Sequence, residues 1–252
     1  RYFCLSRGLG DVYKRQVYTA LIFGDGQSGS RTIISSGKTS GNAISITGIR
    51  AGIQNLNGVS FASQNTTIEA TGGGNVAISA LDQGATLNAR ISLFNVTLTT
   101  ASSGNVNLSS AGTLTTTDGS ISAGGNMAVS AGPTTGDALT IVGTTLSTTT
   151  GRIDLRATST TARGMFIAGA VSGGSPAKIQ SSSGDISILS AAGGTSWAIQ
   201  LQRNVDITSS TGNITIDSGA RGLAPAVVGT TNIGATASVS YTHLTLPTNR
   251  EV

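Results

Sequence analysis

The sequence predicts an all-β chain wound as a single-stranded parallel β-helix, a β-solenoid, over residues 17–238. Three observations carry this. Apolar and polar residues alternate over short runs, the period-two signature of half-buried strands. A five-residue unit recurs at intervals of about 20–33 residues, inside the range expected of solenoids. The composition is rich in small residues, with 35 glycines, and poor in charge (10%) and aromatics (4%). Such a bias also suits disorder, but a disordered chain lacks the alternation.

The unit is Gly, a polar residue, then apolar-any-apolar. It stands at Gly74-Asn75-Val76-Ala77-Ile78, Gly104-Asn105-Val106-Asn107-Leu108, Gly125-Asn126-Met127-Ala128-Val129, Gly151-Arg152-Ile153-Asp154-Leu155, Gly184-Asp185-Ile186-Ser187-Ile188 and Gly212-Asn213-Ile214-Thr215-Ile216. A further strand precedes several copies, as at Val96-Thr97-Leu98, Lys178-Ile179-Gln180 and Val205-Asp206-Ile207.

Each slot has a physical meaning. Gly before Asn or Asp predicts a tight turn with positive φ. The two apolar slots point into a core, and the residue between them (Ala77, Asn107, Asp154, Ser187, Thr215) points to solvent. A unit this short cannot bury its apolar face alone, and stacked neighbours make the core continuous. Three short strands per unit give seven or eight coils, roughly 35–40 Å tall at 4.8 Å per coil. Residues 113–122 predict shorter coils, and residues 163–177 and 193–203 irregular insertions. A β-sandwich is the alternative, though its strands vary more and carry clearer hairpin signals.

The two ends are expected to be foreign. Residues 11–16, Asp-Val-Tyr-Lys-Arg-Gln, back-translate to GAT GTG TAT AAG AGA CAG. The reverse complement encodes Val-Ser-Tyr-Thr-His, residues 239–243. One inverted DNA repeat at both ends resembles translated sequencing adapters, so residues 1–16 and 239–252 are set apart as non-native tails and the solenoid as cut at both ends. The only cysteine, Cys4, and the only histidine, His243, fall in these tails. Without the tails the charge is 10 − 9 = +1 rather than +4, which removes the argument for a nucleic-acid or anionic partner. Long-read sequencing of the parent gene is expected to replace both tails with further repeats.

Runs such as SSGNVNLSSAG, SSSGDISILSAAG and SSTGNITIDSGARG resemble the repeats of filamentous-haemagglutinin-type exoproteins, of two-partner secretion systems and related autotransporter passengers. The resemblance covers most of residues 41–222. It implies a right-handed β-helix, export through an outer-membrane secretion pore to the bacterial surface or medium, and an adhesive or structural role. The family's Asn-Pro-Asn secretion module does not occur in this sequence.

Chemistry is sparse. Gly24-Asp25-Gly26-Gln27-Ser28-Gly29 matches a dinucleotide fingerprint, but that motif needs a following helix and an acid about 20 residues on. Gly37-Lys38-Thr39 ends like a phosphate loop but lacks its first glycine, since residue 32 is Thr. Without histidine or cysteine in the core, neither a Ser-His-Asp triad nor a zinc site is expected. Polysaccharide cleavage needs two acids about 5–10 Å apart, and neither the turn column nor the outward column stacks acids; Asp206 and Asp217 are the pair to test. Trp197, with Gln200, Gln202 and Arg203 nearby, is the candidate ligand site, by sugar stacking; the alternative is that Trp197 covers the end of a coil.

The expected function is therefore non-catalytic: a structural shaft segment of a secreted or surface adhesin, without cofactor or metal. Its expected partners are glycans or proteins of host or neighbouring cells, bound weakly and many times over. No apolar run reaches the roughly 20 residues of a membrane span. The alternatives are a polysaccharide-cleaving β-helix fragment and a surface-layer or ice-binding solenoid, hinted at by Thr97-Leu98-Thr99 and Thr113-Leu114-Thr115.

Overall fold

The computed structural model describes residues 21–23, 31–50, 58–61, 65–82, 89–171, 174–224 and 229–242. Its strands follow one another in threes. The first coil holds β1 (Leu21–Phe23), β2 (Thr32–Ser36) and β3 (Asn42–Arg50); the second β4 (Val59–Phe61), β5 (Thr66–Ala70) and β6 (Asn75–Asp82). The third holds β7 (Ile91–Phe94), β8 (Val96–Thr100) and β9 (Val106–Ser110); the fourth β10 (Leu114–Thr117), β11 (Ser120–Ala123) and β12 (Met127–Thr134). The fifth holds β13 (Leu139–Val142), β14 (Thr145–Thr148) and β15 (Ile153–Ser159); the sixth β16 (Met165–Ala168), β17 (Ala177–Ser181) and β18 (Ile186–Ala192). The seventh holds β19 (Ile199–Gln202), β20 (Val205–Ser209) and β21 (Ile214–Asp217); the eighth β22 (Leu223–Ala224), β23 (Thr231–Ala235) and β24 (Val239–Thr242). Every third strand joins the same sheet. The result is three sheets of eight strands each, parallel throughout, as in β6 against β9 and β18 against β21. This is a parallel β-helix.

The predicted repeat lies in the third sheet, where all six copies lead into strands. Val76, Val106, Met127, Ile153, Ile186 and Ile214 stand in one register, and Ile78, Leu108, Val129, Leu155, Ile188 and Ile216 in the next inward one. All twelve are buried. Between them runs the outward column Ala77, Asn107, Ala128, Asp154, Ser187, Thr215. A seventh copy, at Gly41-Asn42, escapes the pattern because the register shifts between Asn42 and Ile44, inserting one residue.

The turn glycines differ from expectation. None of Gly74, Gly104, Gly125, Gly151, Gly184 and Gly212 has positive φ; the neighbours Gly41 and Gly73 do, at 62° and 89°. What forbids a side chain is the coil below. A Cβ on Gly104 would sit 2.6 Å from the carbonyl oxygen of Gly74, and one on Gly125 2.5 Å from that of Ser103. On Gly151 it would strike the backbone of Gly125, on Gly184 that of Gly151, and on Gly212 that of Gly184. The column is glycine because backbones meet there.

Beside it the polar slot forms a ladder. The Asn75 side-chain oxygen accepts from the Asn105 backbone N–H at 2.9 Å, and Asn105 does the same for Asn126 at 2.8 Å, and Asn126 for Arg152 at 3.0 Å. Arginine has no acceptor to pass on, and the ladder resumes at Asp185, which accepts from Asn213 N–H at 2.7 Å. Asn105→Ala removes one acceptor and one donor. We expect a loss of about 1–2 kcal/mol in urea unfolding, and full retention of stability would refute the ladder's role. A second column of buried hydroxyls closes the same turn: Thr148 Oγ1 donates to Gly151 O at 2.7 Å, and Ser181 Oγ accepts from Gly184 N–H at 2.8 Å.

One expectation is corrected. The stretches read as irregular insertions, 163–177 and 193–203, contain β16 and β19 of the first sheet. Val239–Thr242 pairs with β21 in register and adds the last strand of the third sheet. The alternation Val-Ser-Tyr-Thr suits the strand edge it meets. The shorter central coil is as predicted: Asn126 bonds Asn105 across 21 residues, against 30 for Asn105 and Asn75.

Candidate functional site

The candidate pair Trp197 and Arg203 flanks β19 from opposite ends. At roughly 3.3 Å per residue they are about 20 Å apart, so the strand does not bring them together. Arg203 sits in the corner between the first and second sheets, at φ 48°. Its Nε donates to Gly169 O at 3.1 Å, an arrangement that holds the corner of the coil beneath. Gln202 lies at the same end, in register with Ala168.

Trp197 lies in the turn that leads into β19, three residues before Gln200, which belongs to a patch on the outer face of the first sheet. Leu139, Met165 and Ile199 share one register. Two residues before them stand Asp137, Arg163 and Trp197, one per coil, and one residue after them Thr140, Phe166 and Gln200. Arg163 ties Asp137, Phe166 and Gln200 together. Its Nε donates to Asp137 Oδ1 at 3.0 Å and its Nη2 to Oδ2 at 2.5 Å, a bidentate fork. Its Nη1 donates to Gln200 Oε1 at 2.5 Å, in the coil above. The guanidinium carbon lies 4.2 Å from the Phe166 ring centroid, within cation–π range. Both members of the ion pair are more than two-thirds buried (29% and 27% exposed). Trp197 stays 42% exposed. Asp137, Arg163 and Phe166 carry no local sequence signal; only the 26-residue offset of one coil links Arg163 to Asp137.

The remaining sequence candidates sit apart. Asp206 is on the second sheet, accepting from Gln180 at 3.3 Å and Asn232 at 2.9 Å. Asp217 is on the third, accepting from Gly219 N–H at 2.9 Å. The two therefore face outward from different sheets. Gly37-Lys38-Thr39 links β2 to β3, with Lys38 Nζ donating to Asn42 O at 3.0 Å, and no helix follows. The Gly24–Gly29 motif lies outside the described residues. Among the described residues no three His, Cys, Asp or Glu side chains cluster as metal ligands, and no helix is long and apolar enough to cross a membrane.

The hydroxyl hint resolves differently from its sequence reading. Thr113-Leu114-Thr115 belongs to the first sheet, but Thr97 and Thr99 on β8 continue as Ser120 and Ser122 on β11, then Thr145 and Ser147 on β14. Paired hydroxyls thus cross three coils of the second sheet before Lys178 and Gln180 end the run.

In comparisons with known proteins, no family model, curated protein or solved structure matches this chain.

Proposed function

We propose that the chain is a non-catalytic shaft segment of a secreted or surface-exposed bacterial adhesin, making weak, repeated contacts with cell-surface glycans or proteins. One observation supports this above the others. The inward columns repeat nearly the same apolar residues coil after coil, while the outward column of the third sheet changes at every coil, from Ala77 to Asn107, Ala128, Asp154, Ser187 and Thr215. The scaffold is constant and the displayed surface varies, which suits a rod that presents contacts. The resemblance of the repeats to those of haemagglutinin-type exoproteins supports the same reading and, with it, export through an outer-membrane pore. Weak sites repeated along a rod gain from avidity.

The test is a density comparison. Beads carrying the chain at high density are expected to be retained on arrays of surface glycans and extracellular proteins, with the soluble chain about 100-fold weaker. Equal and absent retention of both forms would remove the adhesive reading. The hydroxyl pairs of the second sheet favour a second reading, an ordered-lattice contact such as ice. Inhibition of ice recrystallisation that Thr97→Lys abolishes would establish it.

A further inference from the structure

We propose that the outer face of the first sheet, across coils five to seven, binds an uncharged pyranose chain stacked on Trp197. This rests on the surface-contact reading above and names its ligand.

Trp197 is the only tryptophan in the chain. It is 42% exposed, whereas Phe61 on the same sheet is fully buried. Its indole N–H has no hydrogen-bond partner among the described residues. A partly exposed indole whose donor is unpaired matches what a sugar needs, apolar surface for its C–H groups and a donor for an oxygen acceptor.

The surroundings are held in place before any ligand arrives. Arg163 clamps Asp137, Phe166 and Gln200 across three coils. Because the Gln200 oxygen is occupied by Arg163, its amide nitrogen remains as a donor, three residues after Trp197 in the sequence. The Thr140 hydroxyl stands in the same column as Phe166 and Gln200. Groups fixed in advance lose little freedom on binding.

Charge selects the ligand class. The guanidinium of Arg163 already faces the Asp137 carboxylate in a bidentate pair. A uronate or sialate would meet a cation whose fork is filled and a carboxylate that repels it. A neutral sugar meets neither obstacle. An extended peptide is less well matched, because peptides add to sheet edges through backbone hydrogen bonds. Here the patch lies on a sheet face, where β13, β16 and β19 use their backbone groups on one another.

A single tryptophan makes the site directly visible. The full chain is titrated with cellohexaose and laminarihexaose, and with hexagalacturonate as the charged counterpart, while indole emission is followed. At least one neutral hexasaccharide is expected to shift the emission with a Kd of about 1 mM, and hexagalacturonate to leave it unchanged. On high-density beads, Trp197→Ala is expected to lower retention on that neutral glycan about tenfold and Gln200→Ala about threefold, with thermal midpoints within about 2 °C of the parent chain. Emission unmoved by both neutral hexasaccharides overturns the proposal. So does binding that depends on Trp197 but only to hexagalacturonate or a proline-rich peptide. If Trp197→Ala beads bind neutral glycan as the parent does, this site is wrong and the adhesive reading survives. If parent beads bind nothing on the arrays, both fall.

Discussion

Gly184→Ala is expected to destabilise the solenoid by about 3 kcal/mol, at the upper end of what overpacking costs. The new Cβ would run into the backbone of Gly151 in the coil below. Neither partner is a flexible side-chain tip, so relief requires moving two coils apart. Their separation is set by the hydrogen bonds joining β15 to β18 over seven consecutive residue pairs. Gly136→Ala is the control. A Cβ there meets nothing within 4 Å, and its effect should stay within about 0.5 kcal/mol. Because each coil contacts only its neighbours, unfolding can begin locally. Hydrogen exchange in β15, β18 and β21 should therefore accompany urea melts. Equal stabilities for the two variants would show that the glycine column is not kept by backbone contact.

The second large effect contrasts two adjacent side chains on β15. Leu155 is fully buried, stacked between Val129 and Ile188. Leu155→Ala should cost about 3 kcal/mol, the lost transfer energy plus the cavity left by a rigid stack. Asp154 points the other way and pairs with Arg152 at 2.8 Å; the arginine side chain is 66% exposed and the carboxylate 16%. With its cation largely in solvent the pair contributes little, and serine keeps a polar group in place of the carboxylate, so Asp154→Ser should change stability by less than about 1 kcal/mol. Calorimetric or urea melts of the two variants decide the matter. A larger loss from Asp154→Ser would mean that the column facing solvent, not the core, holds the coils.

The third sheet was legible in the sequence because six of its eight strands are announced by a glycine and a polar residue and then alternate cleanly. The first sheet was not. Met165-Phe166-Ile167-Ala168 places an aromatic on the outward side and a buried alanine at the end, which hides the period of two. Ile199-Gln200-Leu201-Gln202 alternates well, but only four residues are strand and no turn motif precedes them. The glycines were expected for a positive-φ turn, which they do not make; the approach of another coil, which keeps them, cannot be seen from one turn. The same limit hid Arg163 and Asp137. They are a full coil apart in sequence, and nothing local marks them until the register is known. Trp197 stood out by rarity alone. Its grouping with Arg203 followed sequence proximity, whereas a strand of the intervening residues sends the two to opposite corners.

The glycine column also bears on how such a chain can change over generations. Each coil presents the same narrow backbone contact above and below, the same apolar pair inward and a free position outward. A copied coil inserted between two others would find its glycine, its polar rung and its core slots already matched. It would lengthen the rod by about 4.8 Å without requiring any new interface. Reach can thus be gained by duplication, while recognition drifts independently at the outward slot between the two core residues.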